Sequence, residues 1–558
     1  MKSFAPLLLD AYKLSHPDQF PPNTQYIYSN TTPRKSRIKG VDSIVVFGLQ
    51  YLIKEYFIDV WGDWFALSKE DALAEIKRVT DKFLGENSVN IQRYAELHDL
   101  GYLPVKVKAL PEGTLCPIGI PFMTIINTDP KFYWVTNMLE TLTQTVIWQA
   151  ITSATISHQY RKVLDKNAKE TGDESFVDFQ GHDFSMRGMS SVETGTISAA
   201  AHLLSFKGTD TVPSLLFLEK YYGANIENEF IGCSVSATEH AVMSCYGDVN
   251  EQETFRHLIE DVYPNGIVSI VSDTWNLWDV LNKIMPNLKE KILARDGKLV
   301  VRPDSGIPED IVCGLDIPEI TELTELVYEF NHNIKYFKYQ NSFYEFNENE
   351  YNDSVREYGL EINQEFKTSN INDIIDRLGY VVRPAQLDKN KIKGVIELLW
   401  DEFGGTINEK GYKVLDPHVG CIYGDSITLD RAKEISRRLK NKGFATTNIV
   451  YGVGSFTFQH NTRDTFSIAC KATWAQVNNE QHNLFKDPIT DDGTKKSATG
   501  LLCVQNTNGK LTLKEKCTAE EENSGELVTI FENGQLIKEY SLEEIRNNLC
   551  QQKNNVDY

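Results

Sequence analysis

Between about residues 175 and 455 the chain repeats one pattern: a short apolar run, a polar cluster, then a segment with helical spacing. Val268-Ser269-Ile270-Val271 runs into Ser272-Asp273, and a helix is expected over 274–284. Lys298-Leu299-Val300-Val301 runs into Arg302-Pro303-Asp304-Ser305-Gly306. Val419-Gly420-Cys421-Ile422-Tyr423 runs into Gly424-Asp425-Ser426, ahead of a helix expected over 429–442. Asn448-Ile449-Val450-Tyr451 runs into Gly452-Val453-Gly454-Ser455. Apolar runs of this length alternating with helices predict a buried parallel sheet or barrel. In such folds ligands sit at the carboxyl ends of the strands, where each polar cluster falls. Turns rich in Gly, Asp and Ser also arise for backbone reasons alone. Four in series, carrying Arg302, Asp304 and Asp425, favour a site.

The two ends of the chain read differently. Residues 1–175 and 460–558 mix helices with short strands, and are expected to form one discontinuous α+β domain beside a (β/α) barrel over 176–459. Leu527-Val528-Thr529-Ile530-Phe531 followed by Glu532-Asn533-Gly534 predicts a hairpin with an Asn-Gly turn. The stretch 315–400 lacks the strand–cluster–helix rhythm and is crowded with Tyr, Phe, Asn and Glu from Tyr336 to Tyr358, so it reads as a surface insertion. Three helix starts stand out. Ser190-Ser191-Val192-Glu193 and Ser236-Ala237-Thr238-Glu239 each spell a Ser-x-x-Glu capping box, the second placing His240 in a first turn. Pro213, after Gly208-Thr209-Asp210-Thr211, suits a first helical turn. Helix N-termini attract phosphate, and Arg187 adds a bidentate clamp beside the first of them. A histidine at such a position is held neutral and can act as nucleophile or donor, or simply pack.

Composition narrows the class. The chain has 558 residues, 41% apolar and 24% charged, which excludes a disordered, collagen-like or membrane-spanning protein. With 57 Lys+Arg against 78 Asp+Glu the formal net charge is −21, which argues against nucleic acid or an anionic membrane as partner. The N-terminal apolar run is short and is cut by Asp10, so no secretion signal is apparent. Nine scattered cysteines without a C-x-x-C pair fit free thiols in a reducing cytoplasm, not a disulfide frame or zinc site.

Taken together, the motifs resemble the nicotinamide phosphoribosyltransferases, type II phosphoribosyltransferases close to the nicotinate phosphoribosyltransferases. The resemblance runs through Asp10-Ala11-Tyr12-Lys13, Phe47-Gly48-Leu49-Gln50-Tyr51, His182-Asp183-Phe184 and Phe206-Lys207-Gly208-Thr209-Asp210-Thr211. It continues through Glu239-His240, Val271-Ser272-Asp273, Arg302-Pro303-Asp304-Ser305-Gly306, Gly424-Asp425, Thr462-Arg463-Asp464 and Phe485-Lys486-Asp487-Pro488. Each motif is weak alone; in this order, over nearly the whole length outside 315–400, they are specific.

The resemblance implies an irregular (β/α) barrel of the type II phosphoribosyltransferase kind with a second, discontinuous α+β domain. It implies transfer of a 5-phosphoribosyl group from phosphoribosyl diphosphate to nicotinamide, in NAD salvage, by a cytoplasmic homodimer with shared active sites. Phe184 and a neighbouring subunit's Tyr12 are expected to sandwich the nicotinamide ring, and Asp210 to accept its carboxamide N–H. Arg187 and Arg302 are expected on diphosphate, and Asp304, Gly424 and Asp425 on ribose and its phosphate, with Ser272 among the substrate-binding residues. Gly454 and Ser455, with Arg463 and Lys471 from the other chain, are expected on the 5′-phosphate. His240 matches a histidine phosphorylated by ATP, and Mg²⁺ is implied as cofactor. Catalytic roles fall to His240, Asp304 and Arg302. Two positions depart from the pattern: Ser455 replaces a glycine, and Asn276 stands where an aspartate is usual, which leaves the metal ligands unassigned. Nicotinate phosphoribosyltransferase is the rival activity, and a non-catalytic binding or signalling relative the rival class. A barrel enzyme handling phosphate esters is what the pattern supports without the resemblance.

Overall fold

A computed structural model describes residues 4–323, 325, 335–358, 370–486 and 497–553. Its contacts divide the chain into two compact units, one of residues 1–162, 182–234 and 454–558, the other of 163–181 and 235–453.

The first unit is built on a seven-stranded sheet in the order Glu480–Asn483, Ile468–Val477, Thr24–Pro33, Met123–Asn127, Val105–Ala109, Val528–Glu532 and Gln535–Leu536. The pairings along it are antiparallel, with Asn30 opposite Lys471 in the longest of them. The Asn-Gly hairpin forms as expected. Asn533 and Gly534 both take positive φ, 52° and 80°, which a two-residue turn matched to the strand twist requires.

By contacts, residues 182–234 group with the chain ends in the first unit. The reason is burial. Helices Val192–His202 and Pro213–Tyr222 contribute Ile197, Ala200, Ala201, Phe217, Leu218, Tyr221 and Tyr222 to one apolar core with Phe47, Leu49, Tyr51 and Leu52.

The second unit carries the predicted rhythm. Five parallel strands lie in the order Ser236–Ala237, Asn265–Val271, Asp296–Arg302, Val419–Tyr423 and Ile449–Gly454, the last ending at the unit boundary. Val268, Ile270, Leu299, Val301, Val419, Cys421, Ile449 and Tyr451 are buried, as a parallel sheet covered on both faces demands. The helix expected over 274–284 begins only at Leu277, because the Asn276 side chain accepts the Trp278 N–H at 3.1 Å and caps it there. Helix Leu429–Asn441 follows its strand as predicted.

Within 315–400 the chain makes a small module rather than a plain loop. Strands Glu319–Ile320, Tyr336–Tyr339, Ser342–Phe346 and Val382–Pro384 form a sheet, and helix Ile371–Leu378 closes a core of Phe337, Tyr344, Phe346, Ile374 and Val382. All nine cysteines are free. No described helix is long and apolar enough to cross a membrane.

One buried charge in the first unit sets a pH dependence. Glu112 is 2% exposed and accepts the Gly48 N–H at 3.0 Å, the Gln50 N–H at 2.6 Å and the Tyr222 hydroxyl at 3.0 Å. Burial outweighs these donors and pushes its carboxyl up to about 7. A raised folded-state value means a stabilising contribution complete below the unfolded carboxyl range, lost as pH rises towards 7. Glu112→Gln should therefore flatten the fall in thermal midpoint between about pH 4.5 and 7, whatever its absolute effect. An unchanged slope would contradict this origin.

Candidate active site

In the first unit the site grows from strand Gly181–Phe184 and its short parallel partner Gly208–Thr209. Alternation along the strand sends His182 and Phe184 to one face and Asp183 to the other. Asp183 is fully buried, and its carboxylate is satisfied by the Ser185 N–H at 3.1 Å, the Thr209 hydroxyl at 2.9 Å and the Thr211 hydroxyl at 2.6 Å. Its carbonyl also accepts the Asp210 N–H at 2.9 Å. The loop 209–211 is thus clamped at both flanking hydroxyls and at its centre.

Asp210 rises from that clamp with 43% of its side chain exposed. His182 Nε2 donates to Asp210 Oδ1 at 2.9 Å, and the Ser234 hydroxyl donates to the same oxygen. The His182 ring lies 4.8 Å from that of Phe184, tilted by 41°. Neither His182 nor Ser234 was among the candidates read from the sequence; strand alternation was the available signal for His182, since it shares a face with Phe184.

Arg187 is exposed in the turn Met186–Gly188. A Cβ on Gly188 would stand 2.0 Å from Ser455 Oγ, so the serine that replaces the expected glycine fits only because residue 188 has no side chain. The helix after this turn is capped by Ser191 with Thr194, not by Ser190 with Glu193. Glu193 is instead taken by the Tyr51 and Tyr56 hydroxyls at 2.6 and 2.8 Å. Pro213 does open its helix. Tyr12 is 57% exposed. Arg463, in a turn capped by Thr462, donates to Gln144 at 3.1 Å, and Lys471 is half-buried on its strand. Lys486 is exposed, and Asp487 and Pro488 lie outside the described residues.

The second unit brings together His240, Asp273, Asp304, Arg302 and Gly424. His240 opens helix His240–Tyr246 as expected, but without the second capping box: Ser236 lies in a strand, and the Thr238 hydroxyl accepts the Val271 N–H at 2.9 Å. His240 Nδ1 meets the Thr274 hydroxyl at 3.1 Å, and Nε2 lies 3.6 Å from Asp304 Oδ2. Asp273 Oδ2 accepts the Asp304 N–H at 2.8 Å and the Ser305 hydroxyl at 2.6 Å, shaping the loop after Arg302. Arg302 donates to the Thr238 carbonyl. A Cβ on Gly424 would come within 3.3 Å of Asp304 Oδ1, a tight contact that glycine avoids. Asp425 is exposed and accepts the Ser426 hydroxyl at 2.6 Å. Burial, with Asp273, Asp425 and Asp304 nearby, raises the Tyr423 hydroxyl well above its ordinary range. Ser272 is fully buried, and its hydroxyl donates to the Ile270 carbonyl at 2.7 Å.

Among the described residues no three His, Cys, Asp or Glu side chains gather as a ready-made metal cage. Mg²⁺ needs no such cage, since it keeps waters and takes one or two carboxylates with substrate phosphates. Asp273 fits that demand: its Oδ1 is buried without a hydrogen-bond partner while Oδ2 is engaged. Asn276 is occupied as a helix cap.

Residues 179–534 match the nicotinate phosphoribosyltransferase (NAPRTase) family, and residues 5–107 the nicotinamide phosphoribosyltransferase N-terminal domain. The chain is 42% identical over 557 residues to a nicotinamide phosphoribosyltransferase of Acinetobacter baylyi, covering 98% of this chain and 96% of that one. It is 32% identical over 514 residues to one of Mycoplasma pneumoniae, covering 88% and 94%. Among solved structures, a nicotinate-nucleotide pyrophosphorylase from Pyrococcus furiosus is similar in fold, with a TM-score of 0.50 at 14% identity and coverage of 99% and 97%.

Asp183→Ala would leave buried Ser185, Thr209 and Thr211 donors without an acceptor, so a loss on the order of 3 kcal/mol is expected in chemical denaturation. Asp183→Asn, which keeps one acceptor oxygen, should lose less. An unchanged midpoint in Asp183→Ala would contradict the clamp.

Proposed function

Because the chain belongs to the nicotinate phosphoribosyltransferase (NAPRTase) family, we propose that it transfers the 5-phosphoribosyl group from phosphoribosyl diphosphate to nicotinamide. The products are nicotinamide mononucleotide and diphosphate, and the reaction belongs to NAD salvage. The observation that carries the choice of acceptor is the fixed Asp210 carboxylate. An anion there accepts a carboxamide N–H and repels the carboxylate of nicotinate.

In this reading the first unit supplies the acceptor side. Phe184 stacks on the pyridine ring, with Tyr12 of a neighbouring copy opposite it, and Asp210 turns the ring so that its nitrogen meets C1 of the ribose. Arg187 holds diphosphate, and Gly454, Ser455, Arg463 and Lys471 serve the 5′-phosphate, the last two lent by the partner in a homodimer. On the donor side, Arg302 serves the diphosphate, and Asp304, Gly424 and Asp425 the ribose and its phosphate. Ser272 acts from beneath, through the strand end that carries Asp273.

Bond breaking at C1–O runs ahead of bond making, so positive charge grows on the ribose while negative charge grows on the leaving diphosphate. Catalysis is then placement of the ring nitrogen and neutralisation of the leaving group by the arginines. Mg²⁺, held by Asp273 and Asp304 with the diphosphate oxygens, would add charge neutralisation there. No side chain has to move a proton for the transfer, because the pyridine nitrogen attacks with its own lone pair. His240 is the phosphoryl acceptor from ATP; its ring is fixed by Thr274 on one nitrogen and faces Asp304 with the other.

Asp210→Ala should raise the nicotinamide KM and relax discrimination against nicotinate, measured as the ratio of the two kcat/KM values. Unchanged selectivity would sink the assignment. His240→Ala should abolish stimulation by ATP while slow ATP-independent transfer survives, and normal ATP coupling in that variant would refute the phosphohistidine.

A further inference from the structure

We propose that His182 and Ser234 determine acceptor specificity by fixing the Asp210 carboxylate, which rests on the reading of Asp210 above. Their role is positioning. A carboxylate with 43% of its side chain exposed, on a loop, would ordinarily turn about its two side-chain torsions and be screened by water. At about 4 Å, two unit charges in a water-like medium interact by only ~1 kcal/mol, too little for strong discrimination. Selection of an amide over an acid therefore needs an anion that cannot turn aside.

The structure shows what stops it. His182 and Ser234 both donate to Oδ1, so the carboxylate plane, and with it the direction of Oδ2, is set by two charge-assisted hydrogen bonds. Both donors are themselves held. His182 is 8% exposed, sits on strand Gly181–Phe184 and packs its ring against Phe184. Ser234 follows Cys233, whose carbonyl accepts the Thr209 N–H at 3.0 Å and whose N–H donates to the Lys207 carbonyl at 2.7 Å. The Asp210 backbone is anchored separately through Asp183. Backbone and side chain of Asp210 are thus held by different partners, and loss of His182 or Ser234 loosens the carboxylate without releasing the loop.

The fixed anion penalises nicotinate, whose carboxylate would have to displace Asp210 against both donors. Once either donor is gone, the Asp210 carboxylate is less firmly aimed, the acid is admitted more readily and the amide meets a less well aligned acceptor.

The test is steady-state kinetics on the full chain for His182→Ala, His182→Gln, Ser234→Ala and Asp210→Ala, with nicotinamide and nicotinate as acceptors. In His182→Ala and Ser234→Ala the nicotinamide-to-nicotinate ratio of kcat/KM should fall about tenfold, mostly through the nicotinamide KM, with the phosphoribosyl diphosphate KM unchanged. His182→Gln, which keeps an N–H donor at a similar reach, should recover most of the ratio. Should His182→Ala fail to fold, Ser234→Ala, at an exposed hydroxyl, carries the same expectation. An unchanged ratio in the His182 and Ser234 variants, with a fall in Asp210→Ala, would overturn the inference and leave the Asp210 reading standing. An unchanged ratio in Asp210→Ala would overturn both. A parallel loss for both acceptors, with a raised phosphoribosyl diphosphate KM, would mark the residues as merely structural and overturn it too.

Discussion

A carboxylate removed from water must find donors, and that constraint shapes the loops that carry Asp210 and Asp304 in this protein. Asp183 is the clearest case. Fully buried at a strand end, it takes two threonine hydroxyls and a backbone N–H, and its own carbonyl takes the N–H of Asp210. These bonds hold the loop 209–211 in the conformation that presents Asp210. The cost of desolvating one aspartate is offset by the order it imposes on another.

The second unit uses the same device independently. Asp273, after its strand, accepts the Asp304 N–H and the Ser305 hydroxyl, so the turn following Arg302 is held by an acid from the neighbouring strand. Here one oxygen is left buried without a partner, the mark of a place that expects a cation or a polar ligand atom. Gly424 lies close to Asp304, and a Cβ there would stand 3.3 Å from its Oδ1. In both units one aspartate fixes the backbone that carries another.

Much of this was legible in the chain. The four apolar runs are parallel strands, the polar clusters stand at their carboxyl ends, the Asn-Gly turn is a hairpin, and Pro213 opens its helix. What escaped were choices settled by distant partners. Ser190 and Glu193 spell a capping box, yet Tyr51 and Tyr56 claim the glutamate, and Ser191 with Thr194 caps instead. Thr238 is diverted to the Val271 N–H. Ser234 stands 24 residues from Asp210, with no spacing rule to connect them.

The charge of −21 excludes long-range attraction as the means of drawing in an anionic donor. The positive groups are local: Arg187, Arg463, Lys471 and Lys486 in one unit, Arg302 in the other. In the proposed function, selectivity for the acceptor lies with a single fixed anion, and this is the claim on which the account turns. It is tested most directly by diphosphate release from phosphoribosyl diphosphate by the unmodified chain, with nicotinamide or nicotinate as acceptor, each with and without ATP. Release well above background with nicotinamide, far weaker with nicotinate and raised by ATP, is the predicted result. Equal or faster release with nicotinate would contradict it.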